Sequence, residues 1–214
     1  MQPLDHNQGN GMTFTQNLAA AVACVGLLSG CISTRSYVDP KLHELNWSAV
    51  NAPAQVHAVA LDVEFFRNGE RFKRADKAAR GAVERAFEKS GVVNLQPDGT
   101  PARIRIKLNN IADLSDAVKK GFGTGLTFGA KGTAVTDGYE ITVSYDNAGK
   151  VLERTYQHAL HTTIGNADPV TPATPMAPVQ AFDQVVEDAV IHFLRDAQSE
   201  GLLVMRAPPT PGNA

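Results

Sequence analysis

A glycine-rich stretch, residues 121–132, is the first candidate for chemistry because it holds five glycines in twelve residues. A dinucleotide fingerprint requires Gly-x-Gly-x-x-Gly, and the place of the third glycine is taken here by Leu126 or Phe128. A phosphate-binding loop requires Gly-Lys followed by Ser or Thr, whereas the chain reads Lys131-Gly132-Thr133. The stretch therefore predicts no nucleotide site, and no cofactor is expected.

Two histidines, His158 and His161, lie three residues apart in a segment with strand character. Side chains of a strand alternate between its faces, so these two rings are expected on opposite sides of the sheet and cannot share a metal ion. His57 and His192 are not predicted as metal ligands either. No metal site is predicted.

Nucleophilic catalysis has equally little support. The chain contains no Gly-x-Ser-x-Gly elbow, and Asp113 and Asp116 have no partner that the sequence identifies. The expectation is a protein that is not an enzyme and has no catalytic residues.

Cys31 ends an apolar run that begins near Leu18, in the sequence Leu28-Ser29-Gly30-Cys31. The run is too short to span a membrane, which takes about 20 apolar residues. It resembles the lipobox signal peptide of bacterial lipoproteins. The resemblance implies cleavage before Cys31, acylation of its thiol and new amino group, incorporation of palmitate, and removal of residues 1–30 as a leader. No Lys or Arg precedes Arg35, so Met12 rather than Met1 is the expected start.

Several further expectations follow from this resemblance. The residue after the cysteine is Ile32 rather than the aspartate that retains many such lipoproteins in the inner membrane, which favours the periplasmic face of the outer membrane. Cys24 would leave with the leader, so the mature chain has no disulfide partner for Cys31. Residues 31–54, polar and interrupted by Pro40 and Pro53, predict a lipidated tether, and residues 206–214 a disordered tail.

Residues 55–205 predict one α+β domain. Alternating apolar residues indicate strands over 56–66, 103–108, 139–145 and 151–164, with turns at Asn68-Gly69 and Asp146–Gly149. Apolar residues three and four apart indicate helices over 74–90 and 179–199. This order predicts a mostly antiparallel sheet with both helices on one face. It also loosely resembles small periplasmic domains of envelope lipoproteins, such as those of lipopolysaccharide assembly or curli secretion.

The glycine spacing leaves two structural alternatives. Gly121, Gly125 and Gly129 recur every four residues, which in a helix makes a smooth ridge for close packing. The other alternative is a hairpin, or a strand whose glycines allow close backbone approach. In either case, apolar residues flanked by lysines could contact a membrane or a partner. The predicted contact residues are Phe122, Leu126, Phe128, Lys119, Lys120 and Lys131.

The charge gives no indication of a nucleic-acid partner, because the formal net charge is −2. The predicted function is a membrane-anchored lipoprotein that acts as a non-enzymatic binding or scaffold component of the cell envelope. Its expected partners are membrane lipid through Cys31, an envelope protein and, in one alternative, further copies of itself. That alternative is an oligomeric pore or secretion subunit that inserts residues 121–132 into the bilayer.

Overall fold

The fold is built around a long antiparallel ribbon of two 16-residue strands. The computed structural model describes residues 33–40, 45–97, 99–112, 127–129, 132–166, 168–169 and 172–203. The strands are β1 (Thr34–Val38), β2 (His57–Arg67), β3 (Glu70–Arg71), β4 (Val93–Gln96), β5 (Ala102–Ile111), β6 (Thr127–Gly129), β7 (Gly132–Asn147) and β8 (Lys150–Gly165). The helices are α1 (Asp76–Ser90) and α2 (Pro178–Ser199).

These strands form one sheet in the order β1-β8-β7-β5-β2-β3. β4 pairs with β2 beside β3, and β6 pairs with β7. β2 runs parallel to β5 and to β4. Every other described strand pair, including β2 with β3, is antiparallel. The prediction of an α+β fold with a mostly antiparallel sheet is confirmed.

Alternation along the strands gives the sheet one apolar face and one polar face. In β5 the side chains of Ile104, Ile106 and Leu108 are at most 1% exposed and join a core that includes residues of both helices. The intervening side chains of β5 lie on the outer face, where Arg103 Nη1 donates to Asp62 Oδ2 at 2.6 Å. The cationic residues of this strand therefore form a solvated outer face with cross-strand ion pairs.

The two helices lie side by side and run in the same direction. Arg85 of α1 contacts Asp183 of α2 at 2.7 Å, and one turn later Lys89 contacts Glu187 at 2.7 Å. α1 ends at Gly91, whose φ of 62° is left-handed, as expected of a glycine that caps a helix. The sequence prediction of both helices is confirmed.

The start of α1 is tied to the free edge of β2. Asp76 Oδ1 accepts a hydrogen bond from the backbone N–H of Phe65 at 3.0 Å. Arg71 donates to both oxygens of the same carboxylate, at 2.6 and 2.7 Å. The Arg71 guanidinium, more than any other group, holds the pKa of Asp76 below its ordinary value of 3.8. Part of the stability of this edge therefore depends on ionised Asp76.

The substitution Asp76→Asn tests this dependence. It should lower the free energy of unfolding by about 1–2 kcal/mol at neutral pH, because hydrogen bonds to a charged group are lost. A carboxyl with a lowered folded pKa stabilises the fold above its unfolded pKa, and this contribution disappears as the pH falls through the folded value. The difference from wild type should therefore shrink below about pH 4. Urea unfolding of both proteins from neutral pH to about pH 3 measures this difference in the free energy of unfolding.

Glu84→Gln is the control, because Glu84 forms only an exposed ion pair with Arg80. Such a pair contributes about 0.3–0.5 kcal/mol. An Asp76→Asn deficit that stays constant down to pH 3 would contradict the role of the charge.

β1 corrects the prediction of a tether over residues 31–54. Thr34–Val38 pairs with β8 from Thr34↔Ile164 to Val38↔Leu160, and the side chains of Tyr37 and Val38 are buried. The segment is short and partly polar, so it carries no clear alternation. It is a strand because β8 is long and its second edge needs a hydrogen-bonding partner.

The rest of the expected tether also contacts the domain. Trp47 Nε1 donates to Glu187 Oε1 at 2.6 Å, and Asn51 and Gln198 exchange two hydrogen bonds of 3.0 and 2.8 Å. Every described strand, both helices and the apolar core lie between residues 34 and 203. A chain that begins at Ser33 therefore contains every described element of the fold. The predicted leader, residues 1–30, and the predicted tail, residues 206–214, lie outside the described residues.

Candidate functional site

Most residues predicted to contact lipid or a partner lie outside the described part of the chain. These are Cys31, Lys119, Lys120, Phe122, Leu126 and Lys131. The backbone of Phe128 lies in β6, paired with Thr133 of β7. The assignment of these residues to a contact surface stays a prediction.

Strand pairing does decide between the two alternatives for the end of the glycine-rich stretch. Thr127, Phe128 and Gly129 pair with Ala134, Thr133 and Gly132 in an antiparallel ladder. A helical ridge that runs through Gly129 to Thr133 is therefore wrong, and the strand alternative holds for residues 127–129. In a strand, residues four apart share a face but lie about 13 Å apart with another side chain between them, so this spacing makes no continuous ridge there.

The register places this stretch close to the start of β1. Thr34 pairs with Ile164, Ile164 with Thr133, and Thr133 with Phe128, so these four residues form one row across β1, β8, β7 and β6. The row therefore brings residues 127–129 to the same end of the sheet as the start of β1.

A groove opens between the N-terminal halves of the two helices, with a volume of about 800 Å³. We call it the helix groove. Its lining consists of Arg74, Lys77, Ala78, Gly81, Arg85, Pro178, Val179, Phe182 and Asp183. Ala78 and Gly81 are small, so the floor is open on the α1 side. A Cβ at Gly81 would touch only the end of the Arg85 side chain, at 3.3 Å.

Aromatic rings fix the other wall of the helix groove. The Phe182 ring lies 5.8 Å from the Tyr139 ring and 6.4 Å from the Phe65 ring, measured between centroids. Phe182 is half-buried, and Val179, one turn before it, is 70% exposed. This wall of the groove is therefore apolar, with Val179 exposed at its end.

The rim of the helix groove carries more positive than negative charge. Arg85 is paired with Asp183, the one carboxylate among the lining residues. Arg74 stacks over the Phe72 ring at 5.6 Å, and within the described part of the chain neither Arg74 nor Lys77 forms an ion pair. The groove thus offers an apolar floor and two cations that can receive an anion.

A polar cluster that the sequence did not reveal is buried between β8 and α2. His158 Nε2 lies 2.8 Å from Asp188 Oδ2, and Gln184 Nε2 donates to Asp188 Oδ1 at 2.9 Å. The backbone N–H of Ala159 donates to His158 Nδ1 at 3.0 Å, so Nε2 carries the proton that Asp188 accepts. His158 and Asp188 are 3% and 2% exposed. The cluster fixes α2 on the sheet.

His161 lies in a different environment, as the alternation of β8 predicted. Its Nδ1 lies 2.8 Å from the hydroxyl of Thr136, and its Nε2 lies 3.5 Å from Asp39 Oδ2. The two histidines therefore contact separate groups on opposite faces. Among the described residues, no three His, Cys, Asp or Glu side chains are grouped so that they could hold a metal ion.

A signal for the buried cluster was present in the sequence. Asp188 lies three residues after Val185 and one before Ala189, within the apolar stripe of α2. His158 has the same parity as Tyr156 and Leu160, which face the core. A charged residue in an apolar stripe and a histidine on an apolar strand face require partners, and these two supply them to each other.

Comparison with known proteins gives only distant likenesses. No protein-family model matches the chain, and no curated protein is significantly similar to it. A minor lipoprotein from Acinetobacter baumannii is 14% identical, with 73% of this chain and 100% of that chain covered and a TM-score of 0.36. The PelC dodecamer from Paraburkholderia phytofirmans is 14% identical, with 76% and 96% covered and a TM-score of 0.32.

A third solved structure is that of a homologue of the neuraminyllactose-binding hemagglutinin from Helicobacter pylori. It is 11% identical, with 72% of this chain and 89% of that chain covered and a TM-score of 0.39. None of the three is similar enough to assign this chain to a family. No described helix has both the length and the apolar composition needed to cross a membrane.

Proposed function

We propose that this chain is a lipid-anchored protein of the bacterial cell envelope, and that it acts as a non-enzymatic binding or scaffold component. The observation that carries the proposal is the sequence Leu28-Ser29-Gly30-Cys31 at the end of an apolar run. The start of β1 at Thr34 is compatible with cleavage before Cys31, because every described strand and helix lies after that point.

The short spacing between Cys31 and β1 gives the anchor a physical consequence. Three residues span at most about 11 Å, so an acylated Cys31 would hold the edge of the sheet near the lipid headgroups. Three acyl chains would make the attachment effectively permanent, since each buried methylene contributes about 0.8 kcal/mol. The domain would then act at the membrane surface, and Ile32 favours the outer membrane.

Metabolic labelling with radioactive palmitate tests the anchor. The wild-type chain should incorporate the label and fractionate with membranes, whereas Cys31→Ala should lose the label completely. Cys24→Ala is the matched control, because Cys24 lies in the leader and should not affect labelling. Labelling that survives Cys31→Ala would refute the lipid anchor.

A second candidate function is an oligomeric pore or secretion subunit. It is supported by the row that joins Thr34, Ile164, Thr133 and Phe128, because this row brings residues 127–129 to the same end of the sheet as the start of β1, the first strand after Cys31 in the sequence. The solution mass of residues 33–214, measured by light scattering, separates the candidates. A defined oligomer favours the pore or secretion subunit, and a monomer over the accessible concentration range favours the binding component.

A further inference from the structure

We propose that the helix groove binds an anionic phospholipid of the membrane that holds Cys31, with an acyl chain along the apolar floor and the phosphate between Arg74 and Lys77. This proposal rests on the proposed lipid anchor. It adds a specific lipid site on the folded domain, separate from the covalent acyl chains.

The size and lining of the groove suit such a ligand. A volume of about 800 Å³ lies within the range of about 300–1,000 Å³ that is typical of small-molecule sites. The floor and wall are made by Ala78, Gly81, Val179 and Phe182, which offer apolar surface to a hydrocarbon chain. The exposed Val179 gains burial when a chain lies against it.

The charges at the rim select for an anion. Arg74 and Lys77 have no ion-pair partner among the described residues, and both side chains are exposed. Basic pockets beside a membrane bind the phosphates of lipid headgroups, and long cationic side chains can cover apolar surface while their charged ends reach the phosphate. An uncharged apolar ligand would give Arg74 and Lys77 no anionic group to bind.

The groove is also joined to β1, the first strand after Cys31 in the sequence. Ser36 of β1 exchanges two backbone hydrogen bonds with Met176, of 3.0 and 2.9 Å, and Met176 is two residues before Pro178 of the lining. Acylation of Cys31 would keep the domain at the membrane and so raise the effective concentration of lipid at the groove.

Vesicle co-sedimentation of residues 33–214 tests the site, using phosphatidylcholine vesicles with and without phosphatidylglycerol. The wild type should bind only the vesicles that contain phosphatidylglycerol. The double substitution Arg74→Ala and Lys77→Ala should weaken this binding about 30-fold, since one cation near a membrane surface contributes about fivefold. Lys107→Ala, which removes an exposed cation from the outer face of the sheet, should change binding less than twofold.

Gly81→Leu distinguishes a lipid in the groove from attraction to the surface. Leucine at this position would project into the groove without a change of charge, and it favours the helix more than glycine does. We expect it to weaken phosphatidylglycerol binding by at least about fivefold while the melting temperature is unchanged or raised, and Gly81→Ala to bind nearly as well as wild type.

Three outcomes would overturn the proposal: no binding of the wild type to phosphatidylglycerol vesicles, full binding by Gly81→Leu, or full binding by the Arg74 and Lys77 variant. If that variant keeps vesicle binding but loses a crosslinked envelope protein, the groove serves a protein instead. The palmitate experiment is independent, because its result depends on Cys31 and not on the groove.

Discussion

His158→Ala should lower the free energy of unfolding by about 3–5 kcal/mol. Asp188 is 2% exposed and would keep only the hydrogen bond from Gln184 among those described above. Loss of a short hydrogen bond to a buried carboxylate costs part of the desolvation free energy of that group, and the missing imidazole adds the cost of a cavity. Because His158 is on β8 and Asp188 on α2, the loss should loosen the contact between helix and sheet. Guanidinium unfolding followed by circular dichroism measures it.

Two variants make this experiment specific. His192→Ala removes a half-buried histidine of α2 that stacks near Tyr156, with ring centroids 5.7 Å apart, and should cost about 1 kcal/mol or less. The double variant His158→Leu with Asp188→Leu removes both polar partners, and should recover much of the stability lost in His158→Ala, because apolar replacement of a buried pair is often neutral. Equal losses in His158→Ala and His192→Ala would show that the pair with Asp188 does not stabilise the fold.

The sequence contains enough information for the large elements of this fold. In β2, β5 and β7 an alternating apolar side faces the helices, and α2 carries a long apolar stripe, so each pattern predicts both the element and its buried face. Both helices and strands β2, β5 and β8 lie within a few residues of their predicted positions, whereas β7 begins at Gly132 rather than at residue 139. The turn at Asn68-Gly69 was also predicted, and both residues have positive φ, 52° and 83°.

Features that depend on distant partners were missed. β3 and β4 have two and four residues and are too short for a period. The pair His158–Asp188 joins residues 30 positions apart. The helix groove exists because α1 and α2 lie side by side. The sequence of one helix does not show which residues of the other helix lie next to it, so the groove could not be predicted. The same reason explains β1, whose strand conformation is decided by the free edge of β8.

The position of β1 has a large consequence for stability. A chain that begins at Asp39 lacks the whole strand, and with it the buried side chains of Tyr37 and Val38, which are 4% and 6% exposed. Burial of one large apolar side chain contributes about 1.5–3 kcal/mol, so the loss should be about 3–6 kcal/mol. It also opens the edge of β8 from Leu160 to Ile164. Thermal and urea unfolding of chains that begin at Ser33 and at Asp39 gives the difference.

A matched control keeps β1 but changes its exposed start. Thr34→Ala with Arg35→Ala alters two exposed residues and should change the free energy of unfolding by no more than about 1 kcal/mol. If β1 were only a polar tether, the chain that begins at Asp39 would be as stable as this control, and the strand would be refuted. If the loss is as large as expected, Cys31 is joined directly to a strand of the core. The lipid on Cys31 would then be three residues from the first residue of β1, Thr34, instead of being separated from the domain by the predicted tether of residues 31–54.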